Sequence, residues 1–130
     1  MRISKSIIYL FIFILSISGS FSLAEDYSDS DITKVVMLGS GNPFPDPKRS
    51  GPSVAIVVNG VPYLFDAGAG VWQATGAATP KYGGTIKALE SGNISKVFIT
   101  HLHSDHVVGL PSLILLPWAL GREAPLEVWG

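Results

Sequence analysis

Three histidines and an aspartate stand within six consecutive residues, His101-Leu-His-Ser-Asp-His106, and the chain has no other histidine. Imidazole nitrogens and a carboxylate oxygen are ligands for Zn²⁺ and similar divalent ions. On an extended backbone His101 and His103 project to the same side, so the pair can grip one ion. Asp105 and His106 are adjacent and point apart unless the chain bends, which suits them to a second ion beside the first. Two ions about 3.5–4 Å apart can clamp the attacking and leaving oxygens of a hydrolysis. The candidate metal ligands are therefore His101, His103, Asp105 and His106. A surface turn that happens to be His-rich is the rival reading, and the confinement of every histidine to this one turn argues against it.

The neighbouring elements place the cluster. Lys96–Thr100 is mostly apolar with β-branched residues and reads as a buried strand, while the apolar run from Val107 to Leu120 reads as a helix. The cluster thus falls on a strand-to-helix turn at the carboxyl end of a strand, where α/β proteins commonly hold their chemistry. Further upstream, Val35 to Leu38 reads as a strand ending in Gly39-Ser-Gly41, and residues 42–52 form a loop with four prolines. Ser53–Val58 and Val61–Phe65 flank Asn59-Gly60, a strong hairpin signal. Pro62 at the head of the second of these strands points to an edge or turn position. Val71–Ala78 and Gly83–Ser91 read as short helices, with Trp72 on the apolar side of the first, and Leu126–Trp129 reads as a strand. In the long helix Pro111 suits a first turn, whereas Pro117 implies a kink or break. Trp118 and its Leu/Ile neighbours read as core. Alternating strands and helices make this an α/β layered fold.

His101-x-His103-x-Asp105-His106 resembles the HxHxDH signature of the metallo-β-lactamase fold superfamily. Two further blocks extend the likeness. Val35-Val-Met-Leu-Gly-Ser-Gly-Asn-Pro43, continuing through Pro45, Pro47 and Arg49-Ser-Gly-Pro52, resembles the opening of the branch that includes ribonuclease Z and periplasmic arylsulfatase-like hydrolases. Phe65-Asp66-Ala-Gly68 resembles the superfamily's strand-end Asp and Gly. The likeness covers residues 33–130, which are expected to be the N-terminal half of an αββα metallo-β-lactamase sandwich. It implies that His101 and His103 hold one metal and that Asp105 and His106 hold the other. Asp105 would also accept a proton, and Asp66 would orient a ligand from behind. The plainer alternative for Asp66 is a turn residue at the loop through Gly68 and Gly70.

The departure from that pattern is equally specific. The superfamily completes its site with another His, a bridging Asp and a final His, and no histidine follows His106. Glu123 and Glu127 lie too close to the helix and the next strand to be evident substitutes. The expectation is an incomplete site, two ligands where a catalytic zinc takes three. Its remaining ligands would come from a longer reading frame, a completing second chain or a homo-oligomer. The other expectation is a non-catalytic remnant that at most binds metal weakly.

The first 24 residues form a separate unit. Arg2 and Lys5 precede an apolar run, Ile7–Ile17, and small residues lead to Ser22-Leu-Ala24. This is the pattern of a cleaved secretory signal peptide, and the apolar run of about 11 residues is short of the roughly 20 that span a bilayer. Residues 25–32 read as a flexible acidic lead-in, and the expected location is periplasmic or secreted. The chain of 130 residues carries 9 Lys+Arg and 10 Asp+Glu, and loss of Arg2 and Lys5 leaves it more acidic. No basic stripe is visible. The absence of cysteine excludes disulfides and thiolate ligands.

Taken together these features imply a metal-dependent hydrolase, expected to use two Zn²⁺ and a metal-activated water on phosphodiester or on sulfate and aryl esters. The export signal and the acidic balance set nucleic acid aside in favour of a small-molecule substrate. Ribonuclease Z-type RNA processing stands as a further alternative.

Overall fold

The computed structural model describes residues 32–130; the signal-peptide reading of residues 1–24 and nearly all of the lead-in fall outside them. Five strands form one mixed sheet in the order β1-β2-β3-β4-β5, namely Lys34–Gly39, Ser53–Val58, Val61–Phe65, Lys96–Phe98 and Glu127–Trp129. The first three are antiparallel, whereas β3–β4 and β4–β5 are parallel. Helix α1, Val71–Ala78, lies on the connection from β3 to β4. Helices α2, Ser104–Val107, and α3, Leu110–Ala119, lie on the connection from β4 to β5.

Local chemistry explains the hairpin. Asn59 and Gly60 take φ of 50° and 77°, the paired positive dihedrals of a type I′ turn, and both residue types tolerate them. The register then sets Val54 opposite Phe65 and Ile56 opposite Tyr63. Pro62 does not mark an edge strand, because β3 lies inside the sheet. It is accommodated because β4 pairs only with Leu64 and Phe65, which leaves the β4 side of Pro62 free of ladder bonds.

Strand alternation sends Ala55, Val57, Leu64 and Val97 to one face, where they are fully buried with Val71 of α1, Leu89, Ile94 and Leu113 of α3. The opposite face is also apolar. Phe98 stacks on Phe65 with centroids 5.2 Å apart and on Trp129 at 4.8 Å, and Tyr63 lies 6.5 Å from Phe98. Val35 and Met37 extend that face and are 70% and 66% exposed.

Two expected helices come out differently. Gly83–Ser91 is not a helix but holds a 3₁₀ turn at Lys87–Leu89, followed by another at Ser91–Asn93. Gly83 adopts φ of 90°, and glycines at 83, 84 and 92 cost backbone entropy that a short helix cannot offset. The expected helix 107–120 divides into α2 and α3 at Val108-Gly109. Its apolar run is not core as a whole: Leu113 and Pro117 are buried, while Leu115, Trp118 and Leu120 are 59–70% exposed. One stripe of a ten-residue helix reaches the sheet, and the rest faces away from it.

Pro117 is inside α3 without breaking it. A proline there cannot donate to the Leu113 carbonyl four residues back. The buried Arg122 supplies the missing donor, with Nη1 at 2.7 Å from the Leu113 carbonyl and Nη2 at 2.9 Å from that of Ile114.

Candidate metal centre

Three loops converge at the carboxyl ends of β3 and β4, and main-chain hydrogen bonds join them. The Ala67 amide donates to the His106 carbonyl at 2.7 Å, and the Gly109 amide donates to the Ala67 carbonyl at 2.8 Å. The Gly51 amide donates to the Ala69 carbonyl at 2.7 Å, and that of Gly68 to the Pro52 carbonyl at 3.0 Å. The approach is close enough that side chains must be absent at some positions. A Cβ on Gly68 would lie 2.6 Å from the Pro52 nitrogen and 2.8 Å from the Asp105 carbonyl oxygen.

Asp66 ends β3 in the left-handed region at φ 61°, a conformation Asp tolerates better than most residues. The bend turns its buried carboxylate across the sheet toward β4. There Oδ1 accepts from the Thr100 amide at 2.8 Å, and Oδ2 lies 2.8 Å from His106 Nδ1. Thr100 Oγ1 is 2.9 Å from both carboxylate oxygens. Burial by itself pushes the Asp66 carboxyl up. The Thr100 amide, the His106 imidazole and the Thr100 hydroxyl outweigh it and hold the group below the ordinary carboxylate value.

The sequence-derived ligands gather on this frame. His101 and His103 meet edge to face with centroids 4.6 Å apart, and the closer pair is His101 with His106, at 4.0 Å. Asp105 and His106 fall in α2, and the helical turn brings Asp105 Oδ2 to 3.6 Å from His106 Nε2. His101 and His103 are exposed, while Asp105 and His106 are partly covered. With Nδ1–H donated to the Asp66 carboxylate, a neutral His106 carries its lone pair on Nε2, the atom 3.6 Å from Asp105 Oδ2.

Imidazole nitrogens and a carboxylate are the donor types a divalent ion of the zinc class takes, and the bare Nε2 of His106 is the tautomer needed. In kind, therefore, the set fits. In number it falls short: among the described residues no group of three or more such side chains is arranged to hold one ion. The expected pairing of His101 with His103 and of Asp105 with His106 is not set apart by the geometry, in which the His101 and His106 rings are the closer pair. Thr100 was not singled out from the sequence. Its only signal there is its place between the strand and His101.

Beside the cluster lies a cleft of about 740 Å³ lined by Phe44, Lys48, Arg49, Ser104, Asp105 and Val108, among others. The proline loop supplies much of the lining, and α2 contributes Ser104 and Asp105.

Residues 33–120 match the family described as Anti-Pycsar protein Apyc1. The chain belongs to that family. Its sheet and helices are those of a metallo-β-lactamase fold, on the ribonuclease Z-like branch. Ribonuclease Z of Mycobacterium marinum is 35% identical over 100 residues, covering 75% of this chain and 33% of the relative. Ribonuclease Z of Pyrococcus abyssi is 38% identical over 97 residues, covering 75% of this chain and 29% of the relative. The crystal structure of human tRNase Z, short form, superposes with a TM-score of 0.60 at 34% identity over 72% of this chain and 33% of that one. The metallo-β-lactamase fold protein YhfI from Bacillus subtilis gives 0.58 at 20% identity over 74% and 37%. The chain thus spans about a third of the length of the curated relatives it matches.

These relatives correct one expectation. Nucleic acid was set aside on the acidic balance and the N-terminal apolar segment, and the likeness to ribonuclease Z overturns that exclusion. Net charge is an average over the chain, whereas a substrate meets local charge. Here Lys48 and Arg49 stand at the cleft together with Asp46 and Asp105.

Proposed function

We propose that this chain supplies the His101, His103, Asp105 and His106 part of a metal-dependent phosphodiesterase acting on ribonucleotide phosphodiester bonds. The observation that carries this reading is the cluster of His101, His103 and His106, braced by Asp66, next to a cleft whose lining includes Asp105, Lys48 and Arg49. His101 and His103 would hold one ion, Asp105 and His106 the other, and zinc is the ion that donor set favours. When bound, such ions supply Lewis acidity and acidify water at neutral pH. Lys48 and Arg49 would attract the anionic diester, with Arg49 partly engaged by Asp46 at 3.0 Å. Asp105, facing the cleft, would take up the proton released from the attacking water. The ligands beyond the two pairs would come from polypeptide outside these residues.

The test uses the polypeptide made by the native gene in its own host. Purified material is assayed on a short RNA, on bis(p-nitrophenyl) phosphate and on p-nitrophenyl sulfate. Phosphodiester cleavage that a chelator abolishes and Asp105→Ala reduces by at least about 100-fold supports the reading. Preference for the sulfate ester would overturn it. We further propose that residues 1–24 are removed on export; intact-mass analysis of the exported protein should then place its first residue at Glu25.

A further inference from the structure

Thr100 Oγ1 stands at the centre of a short chain of contacts, 2.9 Å from each oxygen of Asp66 and 3.0 Å from His101 Nδ1. A threonine hydroxyl has one hydrogen to donate, and a carboxylate can only accept. If that hydrogen pointed to His101, two carboxylate oxygens would face the hydroxyl lone pairs at 2.9 Å with no hydrogen between them. The hydroxyl therefore donates to Asp66 and accepts from His101 Nδ1–H. The His101 lone pair is then on Nε2. His106 reaches the same state by direct donation of Nδ1–H to Asp66 Oδ2 at 2.8 Å.

We propose that Thr100 is a positioning residue: its hydroxyl relays the Asp66 carboxylate to His101, so that one carboxylate sets the ring orientation and Nδ1–H tautomer of both His101 and His106. These two imidazoles belong to different ligand pairs, and the inference rests on the reading of both as metal ligands. The Thr100 amide, itself bonded to Asp66 Oδ1, fixes the backbone that carries the hydroxyl and leaves it little freedom to leave the relay. The two ion positions are thereby coupled through a group that touches neither ion.

The test is long-range ¹H–¹⁵N NMR of the imidazoles in the full chain, stripped of metal by a chelator, above about pH 8 where histidine is ordinarily neutral. His101 and His106 should both show protonated Nδ1 and bare Nε2. Thr100→Val keeps the shape and the amide but removes the relay; it should move His101 toward Nε2–H and leave His106 unchanged. Thr100→Ser should restore the wild-type pattern. An unchanged His101 in Thr100→Val, or equal changes at His101 and His106, overturns the relay. Zinc titration of the same proteins should show about 10–100-fold weaker binding for Thr100→Val, with Thr100→Ser close to wild type. If the tautomers behave as stated while zinc does not bind or the native polypeptide cleaves no phosphodiester, the relay stands and the functional reading fails.

Discussion

Arg122 Nη1 donates a hydrogen bond of 2.7 Å to the carbonyl of Leu113, the one carbonyl in α3 from which Pro117 withholds an amide. Arg122→Met should therefore cost about 2–4 kcal/mol in urea denaturation, because it leaves buried carbonyls without donors. Pro117→Ala in that background should recover about 1 kcal/mol, since alanine returns an amide to the helix. Simple additivity of the two substitutions would show that Arg122 and Pro117 are not coupled.

The Asp66 carboxyl is held below its ordinary value, and the sign of its pH dependence follows. The unfolded carboxyl titrates near about 3.9, so its contribution to stability is fully present above that pH. It is lost as pH falls through the lower folded value. The stability gap between wild type and Asp66→Asn should be present above about pH 4 and shrink as the pH falls below it. Chemical denaturation across that range reads it directly. A gap that widens in acid contradicts the hydrogen-bonded carboxylate described for Asp66.

Glycine substitutions should separate steric fit from backbone dihedral. Gly68→Ala drives a methyl group into the Pro52 and Asp105 main chain, and should cost more than about 3 kcal/mol or prevent folding. At Gly60 a Cβ meets nothing within 4 Å, and only the positive φ of 77° resists it. Gly60→Ala should cost about 1–2 kcal/mol. Thermal unfolding of the two variants side by side makes the comparison.

Zinc binding by this chain should reflect ligand pairs rather than closed sites. Isothermal titration is expected to give weak binding without two tightly held ions per chain, and Asp66→Asn should weaken it by a further 10–100-fold or so. Two tight ions would mean that these residues alone close both sites.

What was legible in the sequence was local. Ser53–Val58 and Val61–Phe65 were readable to the residue because Asn59-Gly60 fixes turn type and register within a few positions. Helix α1 was readable for the same reason, between Gly70 and Pro80. The convergence of His101, His103, Asp105 and His106 was readable from their spacing. What was not legible depends on partners far away in the chain. Pro117 reads as a helix breaker until Arg122 is seen to replace its donor, and Pro62 reads as an edge residue until the short β4 is placed. Trp118 reads as core by composition, yet only the Leu113–Pro117 stripe of its helix faces the sheet. Thr100 carries no periodicity at all; its meaning lies in Asp66, 34 residues earlier in the sequence.

The three loops around the histidine cluster touch through their main chains, with Gly68 and Gly109 at the points of closest approach. The consequence is modularity. The frame that aims His101 and His106 is main chain plus two inward side chains, Asp66 and Thr100, whereas the cleft beside it also carries side chains outside that frame, such as Phe44, Lys48 and Val108. Phe44, Lys48 and Val108 can therefore change without moving His101 and His106, whereas a change at Gly68 moves the loops that carry them.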